Sequence, residues 1–314
     1  MMEIPANREE IDRLAARLRA GGLVAFPTET VYGLGGDATN PEAVLSIYET
    51  KGRPRFNPLI AHFADPGAVR QVAEFGALAE RLATAFWPGP LTLVLPQRAG
   101  SPICDIVTAG LDTVAVRVPS HPLARALIRA AGRPLAAPSA NPSGRLSPTT
   151  AAQVRAYFGD AVPVLDGGPS EAGLESTIVA VGDEVVQLRA GAIARAEIES
   201  VLDRSIATAS QTSEIAAPGM LASHYAPRAR LRLEARRPEP GEAWLAFGEV
   251  SELTDVHRNL SPSGDLREAA RNLFSMLHEL DAVADRIAVA PIPQTGLGEA
   301  INDRLRRAAA PRDA

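Results

Sequence analysis

The stretch Leu23-Val24-Ala25-Phe26-Pro27-Thr28-Glu29-Thr30-Val31-Tyr32-Gly33-Leu34-Gly35-Gly36 sets the reading of the whole chain. Its first four residues are an apolar run between glycines and a proline, the pattern of a short buried strand. A polar loop follows, with hydroxyls at Thr28, Thr30 and Tyr32 and glycines at 33, 35 and 36, which lets backbone come close to a ligand. Upstream, Asn7 with Glu10 gives a capping-box signal, and Ile11, Leu14, Ala15 and Leu18 recur at helical spacing until Gly21-Gly22 ends the run. Helix, strand and polar loop make the opening unit.

The alternation continues outward from there. Asn40-Pro41 caps and opens a helix through Tyr48, and residues 59–63 read as a strand. Further strands are expected at 91–95, 113–118, 135–137, 162–165, 177–181 and 185–188, with helices at 78–86, 123–130 and 150–157. The mixture predicts an α/β fold with a large twisted sheet, without fixing the order of its strands. From Ala207 to Ala217 the residues turn small and polar, which marks a linker. Beyond it, strands at 231–233, 244–247, 256–260 and 287–290 and helices at 265–280 and 298–309 predict a smaller open sheet flanked by helices.

With 314 residues, 46% of them apolar, the chain can build two domains with their own cores. Cys104 is its one cysteine, which excludes an intrachain disulfide, and the start Met1-Met2-Glu3-Ile4-Pro5 lacks the apolar core of a signal peptide. No apolar run approaches the roughly 20 residues needed to cross a bilayer. A cytosolic location without membrane residence is expected. The net charge of −5 argues against a generic DNA or RNA binder and confines any RNA contact to a local patch.

Of the 32 basic residues, all but Lys51 are arginine. That lysine opens Lys51-Gly52-Arg53-Pro54-Arg55-Phe56-Asn57-Pro58, where a compact ammonium among guanidinium groups suits an anion, phosphate first. A lysine on a solvated turn is the alternative. No phosphate loop of the G-x-x-x-x-G-K-[ST] type, no G-x-S-x-G elbow and no H-E-x-x-H occurs. The five histidines, at 62, 121, 224, 257 and 278, are scattered, so no protein-bound transition metal is expected. No Ser or Cys sits in an activating context, so no covalent nucleophile is expected either.

Polar loops beside strands remain. Residues 138–149 carry hydroxyls at Ser139, Ser143, Ser147 and Thr149 and the Asn141 amide in a proline-rich segment, fit for a ligand or for a turn that satisfies itself. Arg117 lies within the apolar strand Thr113-Val114-Ala115-Val116-Arg117-Val118, where an unpaired charge is expensive. Its partner is a structural carboxylate or a ligand's. Glu175-Ser176-Thr177-Ile178-Val179 and Gln187-Leu188-Arg189-Ala190-Gly191 repeat the pattern.

In order along the chain, P-T-E-T-V-Y-G-L-G, K-x-R with N-P-L, P-G-P-x-T from Pro88, V-R-V-P, P-S-A-N-x-S-G, E-S-T-I-V and R-x-G resemble the L-threonylcarbamoyladenylate synthase family. Ala217-Pro218-Gly219-Met220 and His224-Tyr225-Ala226-Pro227 resemble the linker of its longer, two-domain form. The resemblance implies a catalytic domain over 1–206 with a large twisted mixed sheet, flanking helices and a concave active site. It implies a linker or lid over 207–229 and a smaller Rossmann-like α/β domain over 230–314. It implies synthesis of threonylcarbamoyl-AMP and pyrophosphate from L-threonine, bicarbonate and ATP, with Mg²⁺ on the ATP. The product serves tRNA threonylcarbamoyladenosine formation, with tRNA met indirectly through downstream transferase proteins. Around the threonine the resemblance places Thr30, His62, Arg117, Ala137 and Ser176 or Thr177. Around the nucleotide it places Lys51, Arg53, Asn57, Thr113, Ser139, Asn141, Ser147, Arg189 and Tyr225.

The chemistry agrees with that assignment. A carbamate attacking the α-phosphorus builds charge on oxygens, which calls for preorganised cations, and Lys51 and Arg53 are the expected catalytic pair. Arg117 is expected on the threonine carboxylate and a Thr30 or Ser176 hydroxyl on the substrate's own. His224-Tyr225 is expected to fold over the site as a lid; a plain spacer is the alternative. Two other functions compete: a non-catalytic RNA-binding or ribosome-associated module, and carbamoyl transfer from carbamoyl phosphate. The single cysteine counts against the latter, whose known carriers add zinc-finger-like modules.

Overall fold

The opening helix and strand form as the spacing predicts: α1 (Arg8–Arg19) buries Leu14, Ala15 and Leu18, and β1 (Val24–Phe26) is wholly buried. The structure, a computed structural model, describes residues 8–209, 224–250 and 255–311. Asn7 and its capping box lie outside the described residues, as does the segment containing Ala217 to Met220.

Along the first unit come β2 (Gly33–Asp37), α2 (Pro41–Lys51), β3 (Ile60–His62), α3 (Pro66–Val69), α4 (Ala77–Phe86), β4 (Leu91–Pro96) and α5 (Asp105–Thr108). Then follow β5 (Thr113–Arg117), α6 (Pro122–Ala131), β6 (Leu135–Ala136), α7 (Ala151–Phe158), β7 (Thr177–Val181), β8 (Val185–Arg189), α8 (Arg195–Leu202) and β9 (Ala207–Thr208). The nine strands make one mixed sheet in the order β1-β2-β6-β3-β5-β4-β7-β8-β9. Its main core gathers Val116, Leu91, Leu93 and Val179 with the buried sides of α2 and α4. On the other face, Ile60, Val94, Ala115 and Ile178 form a small apolar floor.

Two expectations change. Gly33–Asp37 is a strand, antiparallel to both β1 and β6, where the glycines suggested a loop free to approach a ligand. The glycines at 35 and 36 serve packing instead: a Cβ at Gly35 would stand 2.6 Å from the Phe26 ring, and one at Gly36 would stand 3.0 Å from Leu23. Residues 162–165 form no strand beyond a single parallel bridge from Val164 to Ala25. Pro163 has no N–H to extend a ladder. The helix α8 had no counterpart in the sequence reading, and the segment read as linker starts by adding Ala207–Thr208 to β8.

The second unit comprises β10 (Arg230–Arg232), β11 (Ala243–Ala246), β12 (His257–Asn259), α9 (Leu266–Asp281), β13 (Arg286–Val289) and α10 (Leu297–Ala309). Its sheet is parallel, in the order β10-β13-β11-β12. Ala243, Leu245, Ile287 and Val289 face α9 and α10, while Trp244, Ala246, Ala288 and Ala290 face Ala235, Phe247 and Val250. The helix-side cluster does not stop at the domain edge. Val31, Leu146 and Leu174 of the first unit belong to it, together with Tyr225.

Candidate active site

Sheet register brings the polar residues into a row. His62 on β3 is paired with Arg117 on β5, and Arg117 with Thr92 on β4, at the end where β3 and β5 finish and β4 begins. Ser176 leads into β7 and Arg189 ends β8 at the same place. Of these, His62, Arg117, Ser176 and Arg189 meet Thr30, Ala137, Ser139, Arg53, Glu175, His224 and Tyr225 around one cavity, with Thr92 behind Ser176.

Helix α2 delivers the cations. Asn40 caps its first turn by accepting from Glu42 and Ala43 N–H, and Gly52, at φ 61°, ends it in the left-handed conformation. That end turns Lys51 inward: its Nζ donates to Ser139 O at 2.6 Å and to Asn141 O, and the residue is 4% exposed. A solvated turn is excluded. Burial and the Arg53 guanidinium lower the Lys51 pKa well below its ordinary value. Arg53 donates Nε to Asn57 O and Nη2 to Pro58 O, and burial brings it down to about 10.

Arg117 has a structural carboxylate as partner, one of the two kinds expected for it. Its Nη2 is ion-paired with Glu29 Oε1 at 2.7 Å, both side chains buried, and Glu29 Oε2 also accepts from Ser120 N–H. Its Nε is buried with no acceptor. Both side-chain polar atoms of Asn57, Asn141 Oδ1 and His224 Nδ1 are likewise buried without a hydrogen-bond partner. Each orphan costs about 1–3 kcal/mol if nothing answers it, so those of Arg117 and His224, both on the cavity wall, point to a polar ligand.

Proton positions follow from the partners. Thr28 donates its one hydroxyl hydrogen to Val31 O at 2.6 Å, so across the 2.7 Å contact with Thr28 Oγ1 it is Thr30 that donates. Thr30 is left as an acceptor toward the cavity. His62 donates Nδ1–H to Ile60 O; burial and the Arg117 charge push its pKa down to about 3, so the ring is neutral. Ser176 Oγ accepts from Arg189 Nη2 and shares a hydrogen bond with Thr92. Arg189 also donates Nε and Nη2 to Ser176 O.

Several expected residues stand apart from the cavity wall. The Thr177 hydroxyl donates to Ile193 O and accepts from Ile193 N–H, which commits it to the fold. Ser147 donates to Glu175 Oε1 at 2.5 Å behind the wall. Thr113 opens β5 opposite Pro96, four residues from Arg117 and on the same side of the strand. Ala137 spends its N–H on Ile60 O, so any backbone contact it makes is through its carbonyl. Sequence reading left out Glu29, Thr92, Glu175 and Arg304. The first three lie in or beside the motifs; Arg304 carries no local signal at all.

Tyr225 is 1% exposed with φ 62°, and Ala226 N–H donates to Gly144 O, which straps this part of the chain to the 138–149 loop. Its ring packs on Phe274 of α9 and against His224.

Residues 16–191 match the family model described as "Telomere recombination", and residues 193–310 match the one described as the C-terminal domain of threonylcarbamoyl-AMP synthase. The chain belongs to the threonylcarbamoyl-AMP synthase family. A relative of that name from Bacillus subtilis is 40% identical over 98% of this chain and 95% of its own length, and one from Pyrococcus abyssi is 41% identical over 96% of each. The crystal structure of P. abyssi Sua5 complexed with L-threonine superposes with a TM-score of 0.89 at 39% identity, covering 96% of this chain and 95% of that one. Membership makes the chain an enzyme of the nucleotidyltransferase kind. Two units, a large mixed sheet followed by a smaller parallel one, are what a threonylcarbamoyl-AMP synthase of this length has in common with that structure.

Proposed function

We propose that the chain makes L-threonylcarbamoyladenylate and pyrophosphate from L-threonine, bicarbonate and ATP, as the first step of tRNA threonylcarbamoyladenosine modification. One observation carries this reading: a single cavity joins an open guanidinium edge on Arg117 to two further buried cations, Arg53 and Arg189, with Lys51 buried behind the wall on the carbonyl of Ser139. The first suits a carboxylate; the others suit a triphosphate.

Arg117 Nε takes the threonine carboxylate, and Thr30, as an acceptor, takes the substrate's hydroxyl hydrogen. A neutral His62 leaves the substrate amine unopposed by a like charge. A pocket that bonds the hydroxyl rejects valine strongly, whereas serine, one methyl smaller, is excluded by only about 1–3 kcal/mol. The carbamate formed from the amine then attacks the α-phosphorus while pyrophosphate leaves. Arg53, Arg189 and Lys51 stabilise the charge that builds on the phosphoryl oxygens. His224 and Tyr225 act as a lid that keeps water from the mixed anhydride.

Mg²⁺ enters with the nucleotide. Among the described residues no group of three or more potential ligands is suited to hold a metal ion, and the one carboxylate on the cavity wall, Glu175, already has Ser147 and Arg304 on its oxygens. The ion is therefore proposed on the triphosphate, as part of the substrate. The product passes to downstream transferase proteins that act on tRNA, and the site of work is the cytosol. No helix among the described residues is long and apolar enough to cross a membrane.

The test is mass spectrometry of protein with ATP, Mg²⁺, bicarbonate and threonine, leaving out one at a time. A threonylcarbamoyl adenylate that needs every component is expected; its absence from the complete mixture sinks the reading.

A further inference from the structure

Arg304, on α10 of the second unit, heads the fully buried side chains by volume and is 1% exposed. Its guanidinium reaches out of its own domain. Nε donates to Glu175 Oε2 at 2.8 Å and Nη2 to Ala190 O at 2.9 Å, both in the catalytic domain. Nη1 donates to Asp303 Oδ2 at 2.7 Å, and Cζ lies 5.1 Å from the centre of the Tyr225 ring. One side chain thus ties the loop before β7, the residue after Arg189 and the aromatic at the cavity's roof. It does not line the cavity itself.

The charges on the cavity wall show what this arrangement does. Among the described residues the wall carries three guanidinium groups, Arg53, Arg117 and Arg189, and one carboxylate, Glu175. Glu29 answers Arg117 from behind. Glu175 and Arg189 are close enough to act on each other electrostatically. Burial raises the Glu175 pKa, but Arg304, Arg189 and the Ser147 hydroxyl outweigh it, and the group is held below its usual range as an anion. A buried anion without a partner is drawn to the nearest cation. Here that cation is one the triphosphate needs. Instead both Glu175 oxygens are occupied from the far side, Oε1 by Ser147 and Oε2 by Arg304.

We propose that Arg304 is a positioning residue, supplied by the C-terminal domain, that holds Glu175 away from the phosphate-binding cations and so keeps the nucleotide half of the cavity positive. This rests on the reading of the cavity as an ATP and threonine site. It gives the second domain a part in binding the nucleotide without its touching it.

The experiment is calorimetric titration of the full chain with ATP and, separately, with threonine. The proteins compared are the wild type, Arg304→Lys, Arg304→Met and the double variant Arg304→Met with Glu175→Gln. Arg304→Lys keeps the charge beside Glu175 and is expected to bind ATP within about threefold of the wild type; Arg304→Met is expected to weaken it at least about tenfold, with threonine moved less than about threefold. Adding Glu175→Gln removes the stray charge, so the double variant is expected to regain most of the lost ATP affinity. A merely structural arginine predicts otherwise: equal losses for both ligands in Arg304→Met and no recovery in the double variant. Either result overturns the proposal, as does a tenfold loss in Arg304→Lys. If Arg304→Met does not fold, a double variant that folds and binds ATP supports the proposal, and one that also fails to fold overturns it. A wild type that binds no ATP is a different failure, that of the functional reading.

Discussion

Arg117 is held at one edge by Glu29 and open at another, and this decides which substitution tests it. Arg117→Ala leaves Glu29 as a buried lone carboxylate, so about 3–5 kcal/mol of stability should go with it, and lost threonine binding in that variant is ambiguous. The paired change Arg117→Met with Glu29→Gln removes both charges. It should fold, bind ATP within about threefold of the wild type and bind threonine at least about tenfold more weakly by calorimetry. Unchanged threonine affinity would remove Arg117 from the substrate. His62 offers a second reading at this scale. An unfolded imidazole takes its proton near 6.5, whereas the folded one does so only at about 3. Between those values the unfolded state binds more protons, so stability falls as pH falls, by about 1.4 kcal/mol per unit from this one group. Urea titrations at pH 6.5 and 4.5 should therefore show His62→Gln losing about 2–3 kcal/mol less than the wild type; parallel losses would show that His62 protonates in the fold. Lys51 and Arg53 stand out in the sequence as cations in a run without acids and Arg117 as a charge inside an apolar strand, and all three are buried. Glu29, Thr92 and Glu175 do not stand out, because a partner is visible only when the neighbouring strands are known.

The β7–β8 hairpin shows how an element fixes the site. At its turn, Gly182 has open space where a side chain would go; at its far end, a Cβ on Gly191 would stand 2.4 Å from Glu175 O and 2.5 Å from Thr177 N. Backbone is closing on backbone there, between the residue pair Glu175-Ser176 and the end of the strand that carries Arg189. Gly191→Ala must drive them apart, so it is expected to lose about 1–3 kcal/mol or more and to lower turnover with it. Gly182→Ala should stay within about 0.5 kcal/mol of the wild type or above it. Equal thermal stability of the two variants would show that the close approach is not needed. The same contrast explains what could be read in advance. Strands β4, β5, β7 and β8 are apolar and β-branched, so they announce themselves. Strand β2 is Gly-Leu-Gly-Gly-Asp, with no strand-forming side chain, and it exists because Phe26 and Leu23 fill the space its missing side chains leave. Residues 162–165 have the composition of a strand and a proline that stops the ladder.

At the scale of the molecule, the two units share a core instead of merely abutting, and the shared core sits against the active site. Val31 and Leu174 pack with Tyr225, Phe274 and Leu273, His278 Nε2 approaches Ser147 O at 3.3 Å, and Arg304 reaches Glu175. A close approach of backbone to backbone is at Gly173. It has φ 70°, and a Cβ there would stand 2.3 Å from Arg271 O and 2.5 Å from its Cα, both in the backbone of α9. No flexible side chain can move aside to make room. Gly173→Ala carries about 1–2 kcal/mol of backbone strain within its own loop, and the crowding must push α9 outward or the loop inward. Outward movement withdraws Phe274 from Tyr225 and slackens Arg304 on Glu175, two residues along from Gly173. Calorimetric melting is expected to change from one transition in the wild type to two in this variant, because the core that couples the units is what the extra atom separates. The ATP KM should rise at least about tenfold in the same protein, with the threonine KM moving less, if Arg304 acts on Glu175 as proposed. Two transitions with both KM values at wild-type levels would mean that the interface joins the domains without shaping the site. A single transition with wild-type kinetics would mean that the loop yields and that the close approach at Gly173 governs neither.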